Sequence, residues 1–268
     1  EQATPDLLLP AIKKHQASIV FTSPTAYRFL LSELKDGDLS SVRTCVSAGE
    51  TLPKPTWDSW QEKTSLEILD GIGSTELLHI FMSSRADDIR PGSTGKPISG
   101  YEAKVVDDDG NEVASGTTGK LAVRGPTGCR YLADDRQEKY VQNGWNLTGD
   151  AYQMDEDGYF WFKARTDDMI ISSGYNIAGP EVEIALLAHQ AVVECAVVGV
   201  PDVRRGSLVK AFVVLQQGIS GDETIVKQLQ DFVKNSIAPY KYPRVLEFVD
   251  SLPKTETGKI QRFKLREG

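Results

Sequence analysis

Hydrophobic positions along the first ninety residues come in two alternating styles. Pro5 to Gln16 reads as a helix, with Thr4 as its cap and proline at its first position. Ser18 to Phe21 is a short β-branched run, and Pro24 to Leu34 returns to helical spacing behind a second cap, Ser23. Val42 to Val46 and Leu66 to Leu69 are apolar enough for buried strands, with a helix from Lys54 to Lys63 between them. Strand alternating with helix in this rhythm predicts a layered α/β domain.

The pattern changes at Gly92. Short alternating runs such as Ala103 to Val106 and Lys120 to Val123 are broken by the turns Asp109-Gly110 and Asp157-Gly158, which predicts an antiparallel, barrel-like region. A third unit of ordinary small-domain size follows Asp168. Its expected elements are a strand over Met169 to Ser172, a helix over Pro180 to Leu187, and strands Val192 to Val200 and Lys210 to Leu215. A helix over Glu223 to Asn235 and a strand over Arg244 to Val249 complete it. The expected fold is multidomain, α/β and α+β. Residues 1–91 would be part of a layered α/β domain, 92–166 a β-barrel-like subdomain, and 167–268 a small α+β C-terminal domain.

Composition adds exclusions. With 40% hydrophobic and 25% charged residues, the 268-residue chain has an ordinary globular make-up. A formal charge of -8 argues against a nucleic-acid or anionic-membrane surface. Cys45, Cys129 and Cys195 stand far apart without metal-ligand spacing and are expected to be reduced thiols. No apolar stretch is long enough to span a membrane and no signal peptide is visible, so the expectation is a cytoplasmic protein. The first residue is Glu1, directly before a helix, which suggests a piece of something longer.

Four polar motifs carry the chemistry. Gly71-Ile72-Gly73-Ser74-Thr75-Glu76 follows a predicted strand, where open α/β sheets bind ligands. Its glycines allow close backbone approach, Ser74 and Thr75 offer hydroxyls, and Glu76 is a hard oxygen donor suited to Mg2+. Thr148-Gly149-Asp150 offers a fixed carboxylate able to accept from ribose hydroxyls. Arg165-Thr166-Asp167-Asp168, running on to Ser173-Gly174, sits where the barrel-like region gives way to the last domain. Pro253-Lys254-Thr255-Glu256-Thr257-Gly258-Lys259 presents a lysine in a glycine-bearing loop. Taken singly, these read as a turn, a Gly-Asp turn, a surface ion pair and a surface lysine.

In this order and at these spacings the four motifs resemble the adenylate-forming superfamily of acyl- and aryl-CoA ligases, luciferases and peptide-synthetase adenylation domains. The resemblance covers essentially the whole chain, as the C-terminal half of such an enzyme. It implies an ATP-dependent acid-CoA ligase that forms an acyl-adenylate and then a CoA thioester, using ATP, Mg2+ and coenzyme A. By that resemblance Lys259, Thr75 and Glu76 are catalytic, and Glu76 holds the metal. Gly49, Glu50, Asp70, Gly71, Ile72, Gly73, Thr75, Asp150 and Arg165 contact ATP or AMP. Ser172, Ser173 and Gly174 line the CoA path, and Asp167 is the hinge of a mobile C-terminal lid. The stretch from Gly71 to Phe81 looks specifically like benzoate- and 2-aminobenzoate-CoA ligases, which places Gly73, His79 and Ile80 in an acyl pocket and implies an aromatic acid. Two departures stand out: Ile72 replaces the aromatic residue of many members, and Ala164 replaces the glycine usual before the arginine.

The family's Ser/Thr/Gly-rich phosphate loop is expected upstream of Glu1, so the chain alone is expected to be inactive. The implied partners are a small carboxylic acid, ATP and CoA, with no nucleic acid or membrane. The alternatives are a short- or medium-chain acyl-CoA synthetase, a peptide-synthetase-type adenylation domain, a luciferase-like enzyme, or a non-catalytic nucleotide-binding fragment.

Overall fold

The computed structural model describes residues 4–255 and 260–266. The chain divides into two compact units, 1–162 and 163–268. In the first unit, helices α1 (Pro5–His15), α2 (Pro24–Glu33) and α3 (Lys54–Thr64) alternate with parallel strands β1 (Ile19–Thr22), β2 (Thr44–Ser47) and β3 (Ile68–Gly73). Antiparallel β4 (Ile80–Ser83) and β5 (Lys96–Pro97) complete a sheet of order β1-β2-β3-β4-β5. Ser23 caps α2, its hydroxyl accepting from the Ala26 amide at 3.2 Å. Thr4 makes no such side-chain bond, and α1 ends one residue earlier than expected because Gln16 turns left-handed.

The largest departure concerns β3, which was expected to end at Leu69. It runs on through Gly71, Ile72 and Gly73, outreaching β2 by three residues, and pairs this overhang with β4. Alternation fails to reveal the extension because glycine has no side chain to mark a buried face. Tyr27, Leu30, Cys45, Trp60 and Ile68 fill the core between helices and sheet. The Tyr27 and Trp60 rings meet edge to face at 4.7 Å, and Trp57 donates to the Ile68 carbonyl at 3.0 Å.

The rest of the unit is a second, antiparallel sheet of order β10-β9-β7-β6, with β8 also on β9. Its strands are β6 (Glu102–Val106), β7 (Thr118–Arg124), β8 (Val141–Gln142), β9 (Trp145–Met154) and β10 (Phe160–Arg165), the last carrying the chain across the division. A short helix, α4 (Arg136–Tyr140), precedes β8. Leu77, Phe81, Met82, Leu121, Val123, Tyr152 and Phe160 form one core, so the turn after β3 and β9 are anchored in the same apolar cluster.

The second unit folds as a sheet of order β12-β11-β14-β13, with β15 on β14. Its strands are β11 (Ile170–Ser172), β12 (Tyr175–Ile177), β13 (Val192–Asp202), β14 (Gly206–Leu215) and β15 (Val245–Phe248). Helices α5 (Gly179–Leu187), α6 (Glu223–Ser236) and α7 (Arg262–Arg266) accompany them. Helix α6 buries Ile225, Leu229 and Val233, one stripe at four-residue spacing, and Asp222 caps it by accepting from the Thr224 and Ile225 amides. Among the described residues no helix is long and apolar enough to cross a membrane.

Candidate functional site

Parallel β1, β2 and β3 send their carboxyl ends in one direction, and the loop after each carries polar residues. Register sets Ser47 of β2 beside Asp70 of β3. Both are buried. Burial pushes the Asp70 carboxyl up to about 7, and the Ser47 hydroxyl and the Gly71 and Leu52 amides offset only part of this. Asp70 Oδ1 and Ser47 Oγ each lack a well-formed hydrogen bond within the chain. After β2, Gly49 takes a left-handed φ of 93°. Glu50 turns back to α2, where its Oε2 accepts from the Thr25 hydroxyl at 2.7 Å and the Thr25 amide at 3.3 Å. A carboxylate is favoured there because the first turn of a helix leaves its amides unpaired.

The glycines of the first motif have a structural reason beyond ligand approach. A Cβ on Gly71 would meet Ile80 Cδ1, the Met82 carbonyl and Ser83 Oγ, each at 3.2 Å, and one on Gly73 would overlap the His79 carbonyl. The backbone at His79 therefore leaves no room for a side chain at Gly73, and β4 leaves little at Gly71. Gly73→Ala is expected to cost about 2 kcal/mol, as overpacking does, and a urea melt beside the unsubstituted chain measures it.

No helix follows the motif. Ser74 to Leu78 form a turn in which the Leu77 amide bonds to Ser74, Leu77 itself is buried, and Leu78 is exposed at φ 72°. Thr75 is exposed and Glu76 half-buried. Tyr131 donates its phenol to Glu76 Oε1 at 3.0 Å, which holds the phenol above its usual range. His79 is exposed rather than packed in the core, with its ring 6.3 Å from that of Phe21, and Ile80 is half-buried. Ile72 is half-buried against the second-sheet core.

Thr148-Gly149-Asp150 lies within β9 and not in a free turn. Lys120 pairs with Ala151 and Ala122 with Leu147, so β9 carries extra residues against β7, with Gly149 left-handed at φ 77°. Such a bulge re-aims side chains. Thr148 and Asp150 are both buried, and the Asp150 amide bonds to the Thr148 hydroxyl at 3.2 Å. Asp150 and Asp70, from different sheets, both act on the buried Tyr152 hydroxyl and help burial to raise it far above its usual range. Tyr152 also shares a 3.2 Å hydrogen bond with Thr94.

In the second unit Arg165 and Asp167 form an exposed pair at 3.5 Å, a contact of little energetic weight. Ser173 and Gly174, at φ 51° and 81°, make the two-residue turn between β11 and β12. A Cβ on Gly174 would meet nothing within 4 Å, so within the unit its φ alone calls for glycine. Ser172 is buried, and Arg205 donates to the exposed Ser173 hydroxyl at 3.0 Å. Lys259 lies outside the described residues. Lys254 and Ile260 on either side of that segment form a β-bridge. Lys254 pairs with Glu194 at 2.7 Å, Arg262 grips both oxygens of buried Glu183 at 2.8 Å, and Arg266 pairs with Asp168.

The first unit thus sets Ser47 beside Asp70 and joins Glu76 to Tyr131. Sequence reading did not single out Tyr131 or Tyr152, nor the pairing of Glu183 with Arg262, because these partners lie dozens of residues apart in the chain. Among the described residues no three His, Cys, Asp or Glu cluster as a metal site. A single carboxylate such as Glu76 still fits Mg2+, which takes one or two carboxylates and completes its shell with water and phosphate oxygens.

Sequence comparison matches residues 1–131 to the AMP-binding enzyme family and 181–259 to the AMP-binding enzyme C-terminal domain. A benzoate-CoA ligase of Thauera aromatica is 43% identical over 99% of this chain and 51% of its own length. A mitochondrial acyl-coenzyme A synthetase of Mus musculus, ACSM4, is 42% identical over 98% of this chain and 47% of its own. The crystal structure of the anthranilate CoA ligase AuaEII in complex with anthranoyl-AMP superposes with a TM-score of 0.90 at 45% identity, over 98% of this chain and 52% of that one. The chain spans about half the length of the curated relatives it matches. With both family regions present in order and relatives alike over nearly its whole length, the chain belongs to the AMP-binding, adenylate-forming enzyme family.

Proposed function

We propose that this chain is the C-terminal half of an ATP-dependent aryl-CoA ligase of the benzoate or 2-aminobenzoate type. The observation that carries the reading is the register that sets buried Ser47 and buried Asp70 side by side at the carboxyl ends of parallel β2 and β3, directly before the glycine motif. In an open α/β fold that is where a nucleotide binds. In this reading Asp150 accepts from the ribose hydroxyls, while Gly49, Glu50, Asp70, Gly71, Ile72 and Gly73 border the adenine and Thr75 meets phosphate. Glu76 holds Mg2+, which when bound offsets phosphate charge. Arg165 approaches the nucleotide, and Gly73, His79 and Ile80 border the acid. Asp167 serves as the hinge, since residues at element ends absorb large φ/ψ changes. Lys259 then serves adenylation and the turn Ser172 to Gly174 serves thioester formation. The same reading places the enzyme in the cytoplasm. The 42% identity to an acyl-coenzyme A synthetase supports a second reading, a short- or medium-chain acyl-CoA synthetase.

The test is CoA-dependent AMP formation across benzoate, aminobenzoates and aliphatic acids, by the protein from its complete natural reading frame. Activity peaking on an aromatic acid is expected, whereas a peak on an aliphatic acid moves the assignment to the second reading. Pyrophosphate release without thioester points to a carrier protein or another acceptor. In the same assay residues 1–268 alone are expected to show no turnover above background, because the phosphate loop is expected to lie upstream.

A further inference from the structure

The segment between β7 and β8 is bound to the Ser74–Leu78 turn at several points. Thr127 Oγ1 donates to the Leu77 carbonyl at 2.9 Å, and Tyr101 bonds to the same Thr127 hydroxyl. Tyr131 donates to Glu76 Oε1 at 3.0 Å. The Tyr140 hydroxyl is buried beside Ser74 without a well-formed hydrogen bond of its own. The segment is braced from within. Gln137 accepts from the Tyr131 amide at 2.7 Å and donates to the Cys129 carbonyl at 3.4 Å, spanning the backbone on both sides of Arg130. The Tyr131 ring meets Tyr140 edge to face at 5.9 Å, and the Arg136 guanidinium lies 4.7 Å from its centroid. A phenol held this firmly limits the orientations open to the carboxylate it grips.

From this arrangement we propose that Tyr131 is a positioning residue for Mg2+: by holding Glu76 Oε1 it fixes the orientation of the carboxylate that would take the metal. The inference rests on the reading of Glu76 as the metal-holding acid. A flexible glutamate must lose rotamer freedom when it takes a metal, and here that loss is met during folding. A phenol also withdraws some electron density from the carboxylate. That loss is small beside the gain in orientation, because an ionised carboxylate offers about four lone-pair sites and can accept from several partners at once.

The test uses the protein from its complete reading frame, with Tyr131→Phe and Glu76→Gln beside it. Binding of α,β-methylene-ATP is followed by calorimetry across a MgCl2 series, and pyrophosphate release across the same series. Tyr131→Phe is expected to need about fivefold more Mg2+ for half-maximal binding and rate, the scale of one hydrogen bond to a charged, partly exposed group. Its rate is expected to recover at saturating Mg2+, with an unchanged KM for the acid and an unchanged melting temperature without ligand. Glu76→Gln is expected to lose most of the Mg2+ dependence of binding. A normal Mg2+ response in Tyr131→Phe, with that of Glu76→Gln lost, overturns the positioning role alone. A normal response in Glu76→Gln overturns the reading of Glu76 and the inference with it. A fall in binding at every Mg2+ concentration together with a lower melting temperature marks Tyr131 as merely structural and also overturns the proposal.

Discussion

Lys259→Ala is expected to lower pyrophosphate release by the complete protein by about 10²–10³-fold, the usual scale for removing one group that meets developing charge. The same variant, given preformed acyl-adenylate and CoA, is expected to make thioester at close to the normal rate. The split follows from the proposed division of labour. Adenylation develops negative charge where ATP meets the attacking carboxylate, and a cation there stabilises the transition state more than the ground state. In the proposed scheme thioester formation depends instead on the turn Ser172 to Gly174. The bases of the lysine segment are secured separately, by Lys254 on Glu194 and Arg262 on Glu183. Truncating Lys259 should therefore leave the unit folded, and an unchanged melting temperature checks this. Loss of both half-reactions together in a folded variant would falsify the division.

Asp70 gives the second large effect, on stability. Its carboxyl is raised from 3.8 to about 7 by burial. The native state therefore keeps a proton that the unfolded chain has already released. Below pH 3.8 both states are protonated and nothing is lost. As pH climbs from 3.8 to about 7, stability falls, because the unfolded state binds fewer protons than the native one. Above about 7 the full cost is present, about 4 kcal/mol on the free-energy scale of a pKa difference. Asp70→Asn cannot ionise, so its stability relative to the parent is expected to improve by about 2–3 kcal/mol between pH 5 and pH 8. Urea unfolding of both proteins at the two pH values measures this. A difference independent of pH would mean that Asp70 is not the group being titrated. Nucleotide binding by the same variant would report whether the acid is kept for a ligand at the expense of stability.

The motifs themselves stand in the sequence because each is a contiguous string of donors and acceptors. The helices α2 and α6 were legible too, α2 through Ser23 as its cap and its apolar residues at helical spacing. Strand ends were less so. The continuation of β3 through Gly71 to Gly73 had no alternating pattern to announce it, and its existence depends on β4 lying alongside. Thr148 to Asp150 looked like a turn, yet they are the bulge of a ten-residue strand, a distinction that only the register of β7 against β9 makes.

By itself, then, the sequence determined the rhythm of elements, the family and the inventory of chemically competent side chains. Helix and strand periodicity and motif order are written within a few residues of one another, so they need no partner to be read. The tertiary structure decided which of those side chains meet. It set Ser47 beside Asp70, Tyr131 on Glu76, Glu50 on the start of α2, and Arg262 on Glu183. Each pairing joins distant points of the chain. It exists because strand register and the packing of buried side chains such as Leu77 and Phe160 allow one arrangement, and local sequence carries no trace of that choice.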